Sequence, residues 1–462
     1  MKIAILGAGP GGYVAAIRAA QLGADVTVIE ETEVGGTCLN RGCIPTKTLI
    51  ASADVLSKAK SAGDFGLQLN GSIEPDIQKI IERKDKVVSI QVKGIRGLFK
   101  SWGIRCIDGR GFMVSPKSIM VTTKDGSKEE VTADRVIIAT GSRPANIPTF
   151  PFDGKNILSS DDALRIDNIP SSILIIGAGV IGCEFAFIFR EFGSDVTMVE
   201  MLSHAVSTED EEISSILERE LKKRKIRLFT DVKVESVEIK DGGGVSARLS
   251  NGNIIEAEKV LVSIGRAINS DNIGIEDIGI KKGQRGEIIV DNRMQTNIEG
   301  VYAIGDVVGG LMLAHVASRE GIVAAENAMG GNRQIDYGVV PSAIFANPEI
   351  ASVGMRERDA IQKGIKVRIG RFQFRALGKA HAMGEIVGMI KLIADDETDR
   401  LLGAHIIGAH ASDLIHEAAI AIKNGLTARD IAHTIHAHPT LSEGIMEASE
   451  DIHGNAIHVP KT

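Results

Sequence analysis

Two of the four cysteines in this chain of 462 residues, Cys38 and Cys43, stand five positions apart in GGTCLNRGCIPTK, residues 35–47. A close thiol pair packs inertly, supplies half of a metal site, or forms a redox-active disulfide. Zinc needs four ligands, commonly as two closely spaced pairs, and Cys106 and Cys183 are single and lie in unrelated contexts. In a regular helix five residues advance ~7.5 Å, whereas a disulfide wants its Cα atoms within ~7 Å. The segment is therefore not an undistorted helix if the two sulfurs bond. Gly42 supplies backbone freedom just before Cys43, and Pro45 suits the first turn of a helix that follows. A short loop held at that helix N-terminus is expected to favour a thiolate. A second reactive group lies near the end of the chain, where histidines occur at 433, 436 and 438, with Glu443 beyond them. Taking a proton from a thiol near pH 7 suits histidine. A carboxylate on the other ring nitrogen fixes the tautomer. A metal cluster there lacks the cysteine or acid spacing that would complete it.

Two glycine-rich stretches must position any nucleotide that works with these groups. Residues 2–6 are a short apolar strand, followed by Gly7, Gly9 and Gly12 in GAGPGG, a helix over about 13–22, and a second strand ending in Glu30. Adding 170 to each number reaches the same pattern. Apolar residues 173–176 lead into Gly177, Gly179, Val180, Ile181 and Gly182 in GAGVIG, then a helix to Phe192 and a strand ending in Glu200. In such βαβ units the first glycine makes the tight turn. The second lets backbone approach a pyrophosphate, and the third lets helix pack on strand. The helix N-terminus offers free N–H groups and a positive dipole to the phosphates. The acid accepts hydrogen bonds from a ribose diol. One such motif is weak; two complete copies, each with strand, helix and acid in register, predict two bound dinucleotides. No arginine follows Glu200, where Met201, Leu202, Ser203 and His204 stand. A carboxylate repels a 2′-phosphate, so the second site is expected to prefer NAD to NADP.

Around these units a long helix is expected over roughly 73–100. Buried strands at 136–142, 260–266 and 301–306 end in glycine turns, the last in Gly305 and Asp306. The composition changes near Gly338, where strand candidates 387–394 and 401–407 precede a helix at 412–424. The expected fold class is α/β: two Rossmann-like dinucleotide-binding domains plus a C-terminal α+β domain. The boundaries are 1–143 with 267–337 for the first, 144–266 for the second, and 338–462 for the third. With 53 basic and 60 acidic residues the net charge is −7, which is no basic footprint for nucleic acid. No apolar run approaches the ~20 residues of a membrane span. The opening MKIAILGAGPGG is broken by glycine and proline, so it reads as a first strand, not a signal peptide. So few cysteines suit a reducing, cytoplasmic setting.

Residues 34–47, VGGTCLNRGCIPTK, resemble the redox-active segment of the class I pyridine nucleotide-disulfide oxidoreductases. Three more stretches resemble that family in family order: TNIEGVYAIGD at 296–306, LAH at 313–315 and HAHPTLSE at 436–443. The resemblance runs along essentially the whole chain. It implies bound FAD with Gly7, Gly9, Gly12 and Glu30 at its adenosine end and Asp306 on its ribityl chain. Gly111, Thr140, Gly141 and Ser142 would line the FAD path. A helix starting near Ala314 would point its positive end at the flavin, and Lys47 would sit near the flavin and pair with Glu184, otherwise an ordinary solvated helix residue. NAD would lie on Gly177, Gly179, Val180, Ile181, Gly182 and Glu200, with Val234 and Gly265 on its path.

The resemblance also implies a Cys38–Cys43 disulfide, Cys38 exchanging with substrate and Cys43 facing the flavin. His438 would act as base, oriented by Glu443, and reach into a second copy's site in a homodimer. The implied reaction is oxidation of protein-bound dihydrolipoamide to lipoamide with NAD reduction, on a lipoyl-bearing protein and the acyltransferase core of a multienzyme complex. Rival readings are a glutathione- or mercuric-reductase-like enzyme and a mainly structural flavoprotein subunit. Glu200 disfavours the NADPH of the first, and the tail lacks the cysteine pair of the second. Three positions depart from the family pattern: Ala267, Leu377, and Arg41 between the cysteines.

Overall fold

The computed structural model describes residues 1–460. In the first unit the strand Lys2–Leu6 lies at the centre of a parallel sheet. Asp25–Glu30 pairs on one side, Lys2 opposite Asp25 and Leu6 opposite Ile29. Arg135–Ile138 pairs on the other, followed outward by Val301–Ala303. Ile3, Ala4 and Ile5 are buried, as in parallel strands covered on both faces. Beyond Asp25–Glu30, the strand Arg105–Ser115 begins parallel and continues into an antiparallel meander with Ser118–Thr123 and Lys128–Thr132. The crossover helix runs Pro10–Gln21. It starts earlier than the expected residue 13 because Pro10, with its fixed φ and missing N–H, fits the first helical position. It packs on the helix Ala314–Ala328. A Cβ added at Gly321 would stand 2.5 Å from the Gly11 carbonyl oxygen, so the close approach of these helices requires glycine.

The second unit repeats the plan. Ser172–Ile176 is flanked by Asp195–Val199 and Lys259–Val262, with Arg227–Phe229 and Ile157–Leu158 at the edges. An antiparallel meander, Val234–Ile239, Val245–Leu249 and Ile254–Ala257, follows. The chain leaves the first unit along Ser142–Pro144 and returns along Arg266–Ile268, and these pair antiparallel. Ala267, one of the departures, sits inside this ribbon opposite Arg143.

The C-terminal unit is an antiparallel sheet in the order Ser342–Ile344, Ile350–Gly354, Leu401–Ile407, Met389–Asp395, Val367–Gln373. Helices Ala411–Lys423 and Glu443–Asp451 cover it. Leu377, another departure, is an apolar member of this core. The long helix near residue 73 runs Ile77–Ser101 and starts where the Asp76 side chain accepts from Lys79 N–H, an N-cap. No helix among the described residues is long and apolar enough to cross a membrane.

Candidate active site

The segment carrying the cysteines is helical on both sides of a break, where a loop was expected. Gly36–Arg41 carries Cys38, and Cys43–Lys60 opens with Cys43 and holds Pro45 in its first turn. The break is Gly42, at φ −144° and ψ −114°. A Cβ there would meet the Thr37 carbonyl oxygen at 3.0 Å and the Cys38 Cα at 3.3 Å. The missing side chain lets the second helix fold back on the first and brings the two thiols together, which an unbroken helix would hold apart. Gly36 locks this segment to the first glycine motif: a Cβ at Gly36 would stand 2.6 Å from the Gly9 Cα, and Gly35 N–H donates to the Ala8 carbonyl at 2.8 Å.

Both cysteines are free thiols that lie against one another. Interaction with Cys38 holds Cys43 down at about 7; burial opposes the shift and the Lys47 ammonium adds to it. The same interaction, together with burial, pushes Cys38 up. Lys47 donates to both oxygens of Glu184, at 2.8 and 2.9 Å. Glu184 is buried, not solvated, because the redox helix is built into the second unit's core. Leu49, Ile50, Ala53 and Leu56 pack there with Phe185, Phe189 and Ile344, each large apolar side chain contributing about 1.5–3 kcal/mol over leaving it exposed. Phe345, from the C-terminal unit, completes the site: its N–H donates to Glu184 at 3.0 Å and the Lys47 nitrogen stands 4.7 Å from its ring centroid. Nothing local in the sequence signals Phe345, which lies 161 positions from Glu184. Arg41 turns away from the thiols, donating to Thr32 Oγ1 at 3.1 Å and lying 3.9 Å from Asp161.

The two glycine cradles match. Gly7 and Gly177 have φ of +105° and +98°, and a Cβ at either would stand within 2.6 Å of a carbonyl oxygen on a neighbouring strand end. At Gly12 and Gly182 a Cβ would lie 2.0 Å from the oxygen of the first glycine. Gly9 and Gly179 precede helices that carry no side-chain cap, and the space at Gly179 is open. Val180 and Ile181 form the first turn of the second helix. Glu30 accepts from Ala8 N–H at 2.7 Å and from Thr32 N–H at 2.8 Å; Glu200 accepts from Ala178 N–H at 2.7 Å and Leu202 N–H at 2.9 Å. Each acid is thus aimed at its glycine turn from the end of the adjoining strand. Uncapped N–H groups, a turn that excludes side chains and a carboxylate beside it suit the pyrophosphate and ribose of a dinucleotide in both cradles.

Other sequence-assigned residues fall into separate places. Ser142 donates to Asp306 and accepts from Arg266 Nε at 2.6 Å, tying the ribbon to the third strand end. Thr140 Oγ1 donates to the Asn269 carbonyl at 2.6 Å. Gly141 (φ +69°) and Gly265 (φ +125°) face open space. Gly111 lies in the meander, where a Cβ would strike Leu6 Cδ1 at 2.4 Å, a packing requirement. Val234 packs, half-buried, on the second unit's core. Ala314 opens an uncapped helix. The sequence reading passed over Glu320, buried in that helix, which accepts from Gly305 N–H and Tyr337 hydroxyl, each at 2.6 Å, and so braces the Asp306 turn.

His438 and Glu443 pair as expected from the motif, Nδ1 to Oε1 at 2.8 Å, and Thr440 N–H donates to the other carboxylate oxygen at 2.8 Å. Burial opposes ionisation of Glu443, but those two contacts outweigh it and hold its pKa below the ordinary carboxylate range. The His438 side chain is 76% exposed and its hydrogen-bond partner belongs to its own segment, not to the cysteine site. His436 is used otherwise, between Glu417 and the Thr434 carbonyl.

A dithiol pair beside a lysine paired with a buried glutamate, in a chain with two dinucleotide cradles, defines a class. Residues 1–321 match the pyridine nucleotide-disulphide oxidoreductase family and residues 340–449 match its dimerisation domain. The chain belongs to this family of flavin-dependent oxidoreductases. It is 44% identical over 460 residues to the dihydrolipoyl dehydrogenase of Chlamydia muridarum, covering 99% of this chain and 98% of that one. It is 43% identical over 469 residues to the dihydrolipoyl dehydrogenase of Bacillus subtilis, with 99% and 98% covered. The crystal structure of LpdA from Mycobacterium tuberculosis matches with a TM-score of 0.91 at 32% identity, covering 97% of this chain and 99% of that one.

Proposed function

We propose that this chain is a dihydrolipoyl dehydrogenase, oxidising protein-bound dihydrolipoamide to lipoamide with reduction of NAD⁺. The observation that carries it is the placement of the two thiols at the Gly42 break, between the Lys47–Glu184 pair and the first glycine cradle. In the proposed cycle the pair starts as a Cys38–Cys43 disulfide. His438, supplied by the second copy of a homodimer, takes the proton from one substrate thiol, and Glu443 stabilises the imidazolium. The substrate thiolate attacks Cys38 Sγ. The Cys38–Cys43 bond breaks and its electron pair leaves on Cys43, where the Lys47 ammonium favours the thiolate. After His438 has lost its first proton to solvent, it takes the proton of the second substrate thiol, which attacks the mixed disulfide at the substrate sulfur; lipoamide is released and the Cys38 thiolate takes that proton back from His438. FAD, when bound on Gly7, Gly9, Gly12, Glu30 and Asp306, carries the electron pair from this dithiol to NAD⁺ as hydride. Glu184, accepting from Lys47 through both oxygens, holds the Lys47 ammonium in place near Cys43 through the cycle. Gly177, Gly179, Gly182 and Glu200 hold NAD.

The exposed His438 is the reason to propose a composite site in a homodimer, and a lipoyl-bearing protein with its acyltransferase core as partners. Low cysteine use, four in 462 residues, supports a cytoplasmic setting. Anaerobic mixing with dihydrolipoamide, followed by NAD⁺ or NADP⁺ in parallel, tests the reading. Formation of NADH with little NADPH is expected. A flavin that dihydrolipoamide leaves oxidised, while NADH reduces it, would move the substrate to another disulfide.

A further inference from the structure

Lys391 has 2% of its side chain exposed, yet its ammonium donates to three carboxylates. Both oxygens of Asp210 lie at 3.0 Å, and single oxygens of Glu212 and Glu357 at 2.6 Å. Burial disfavours the charge and the three acids outweigh it. Asp210 and Glu212 belong to the second unit, where the Asp210 side chain caps the helix Glu211–Lys223. Lys391 and Glu357 belong to the C-terminal unit. Three arginines cross the same seam: Arg356 donates to the Thr208 carbonyl and Arg358 to the Ser207 carbonyl, each at 2.7 Å, and Arg371 donates to Glu212 at 2.7 and 2.9 Å.

These contacts fall on residues 207–212, the far end of the loop that begins just after Glu200. The loop is also tied to the glycine turn. Val206 N–H donates to the Ala178 carbonyl at 2.8 Å, and Ala178 N–H in turn donates to Glu200 at 2.7 Å. Val206 stands at φ +44°, a conformation that a β-branched residue keeps only where its surroundings hold it. The strained residue lies between the turn and the anchored stretch.

We propose that Lys391, Arg356 and Arg358 are positioning residues for NAD: from the C-terminal unit they clamp residues 207–212 and, through Val206 and Ala178, hold Glu200 in its ribose-binding geometry. The inference rests on the NAD reading of the second cradle. It makes nucleotide affinity depend on a unit that does not line that cradle, while the dithiol half of the reaction is independent of the clamp.

The test titrates the holoenzyme with NADH by fluorescence and compares Arg358→Gln, Arg356→Gln and Lys391→Met. Kd for NADH is expected to rise about ten-fold for Lys391→Met and about three-fold for either arginine variant. The KM for NAD⁺ is expected to rise in parallel, with flavin content and the KM for dihydrolipoamide unchanged. Should Lys391→Met fail to fold, the two arginine variants decide. Unchanged NADH affinity in the folded variants overturns the clamp, as does an equal loss in both half-reactions, which marks plain destabilisation. A wild-type protein that binds no NADH removes the NAD reading itself, and the clamp with it.

Discussion

Cys38 and Cys43 lie against one another, and the Lys47 ammonium favours the thiolate on the pair. The Cys43 thiolate is half-formed at about pH 7 and its fraction grows as pH rises. Alkylation of the reduced enzyme by iodoacetamide is therefore expected to rise through about pH 7. Lys47→Gln removes the ammonium that helps lower this value and should move the midpoint to higher pH. The base is tested separately. His438→Ala is expected to lower kcat by about 10²–10⁴-fold with flavin content intact. Glu443 is held low by Thr440 and His438. A carboxylate with a lowered folded pKa contributes above its unfolded value and loses that contribution as pH falls through the folded one. The pairing should therefore persist at neutral pH and fail only as pH falls through the lowered Glu443 value, which the NMR signal of the Glu443 carboxyl carbon followed against pH would check.

At the scale of elements, the two βαβ units use the same backbone geometry for different nucleotides, so equivalent substitutions should have separable effects. A Cβ at Gly12 or Gly182 would lie 2.0 Å from the first glycine's oxygen, and backbone must move to admit it. Gly12→Ala is expected to give protein with substoichiometric flavin. Gly182→Ala should retain flavin but weaken NADH binding at least about ten-fold, ~1.4 kcal/mol. The flavin-to-protein absorbance ratio and an NADH titration distinguish them. Gly42→Ala acts on the redox break, where the Cβ would press on Thr37 and Cys38. It should destabilise the protein by about 1–3 kcal/mol, read as a lowered Tm, and slow reformation of the disulfide.

Over the whole molecule, the exposed His438 and the built-in Cys38–Cys43 pair predict a site shared between two copies. Coexpressing Cys38→Ser with His438→Ala should then restore activity that neither has alone. A two-fold interface leaves one intact site in each mixed dimer, and random pairing makes half the dimers mixed, giving about a quarter of wild-type turnover. Absence of recovery in verified mixed dimers would place base and thiols within one chain.

The local parts of this protein were legible in its residues. Gly7, Gly12, Gly177 and Gly182 announce their turns because no other residue fits the backbone there. Glu30 and Glu200 follow at a spacing set by one helix and one strand, and His438 and Glu443 are near enough in the chain to pair through a single turn. The cysteine spacing implied a distortion, and Gly42 supplied it; Pro45 announced the helix that follows, while the short helix Gly36–Arg41 before the break was missed because so few residues carry no periodic signal. What only the tertiary structure decided is non-local. Glu184 reads as a solvated helix residue until the redox helix packs its apolar face into the second unit's core. Phe345 and Lys391 come from the C-terminal unit, and Arg41 turns toward Thr32, not the thiols. A sequence records which groups can turn or titrate locally; burial and partner choice depend on surfaces that meet only when distant segments pack.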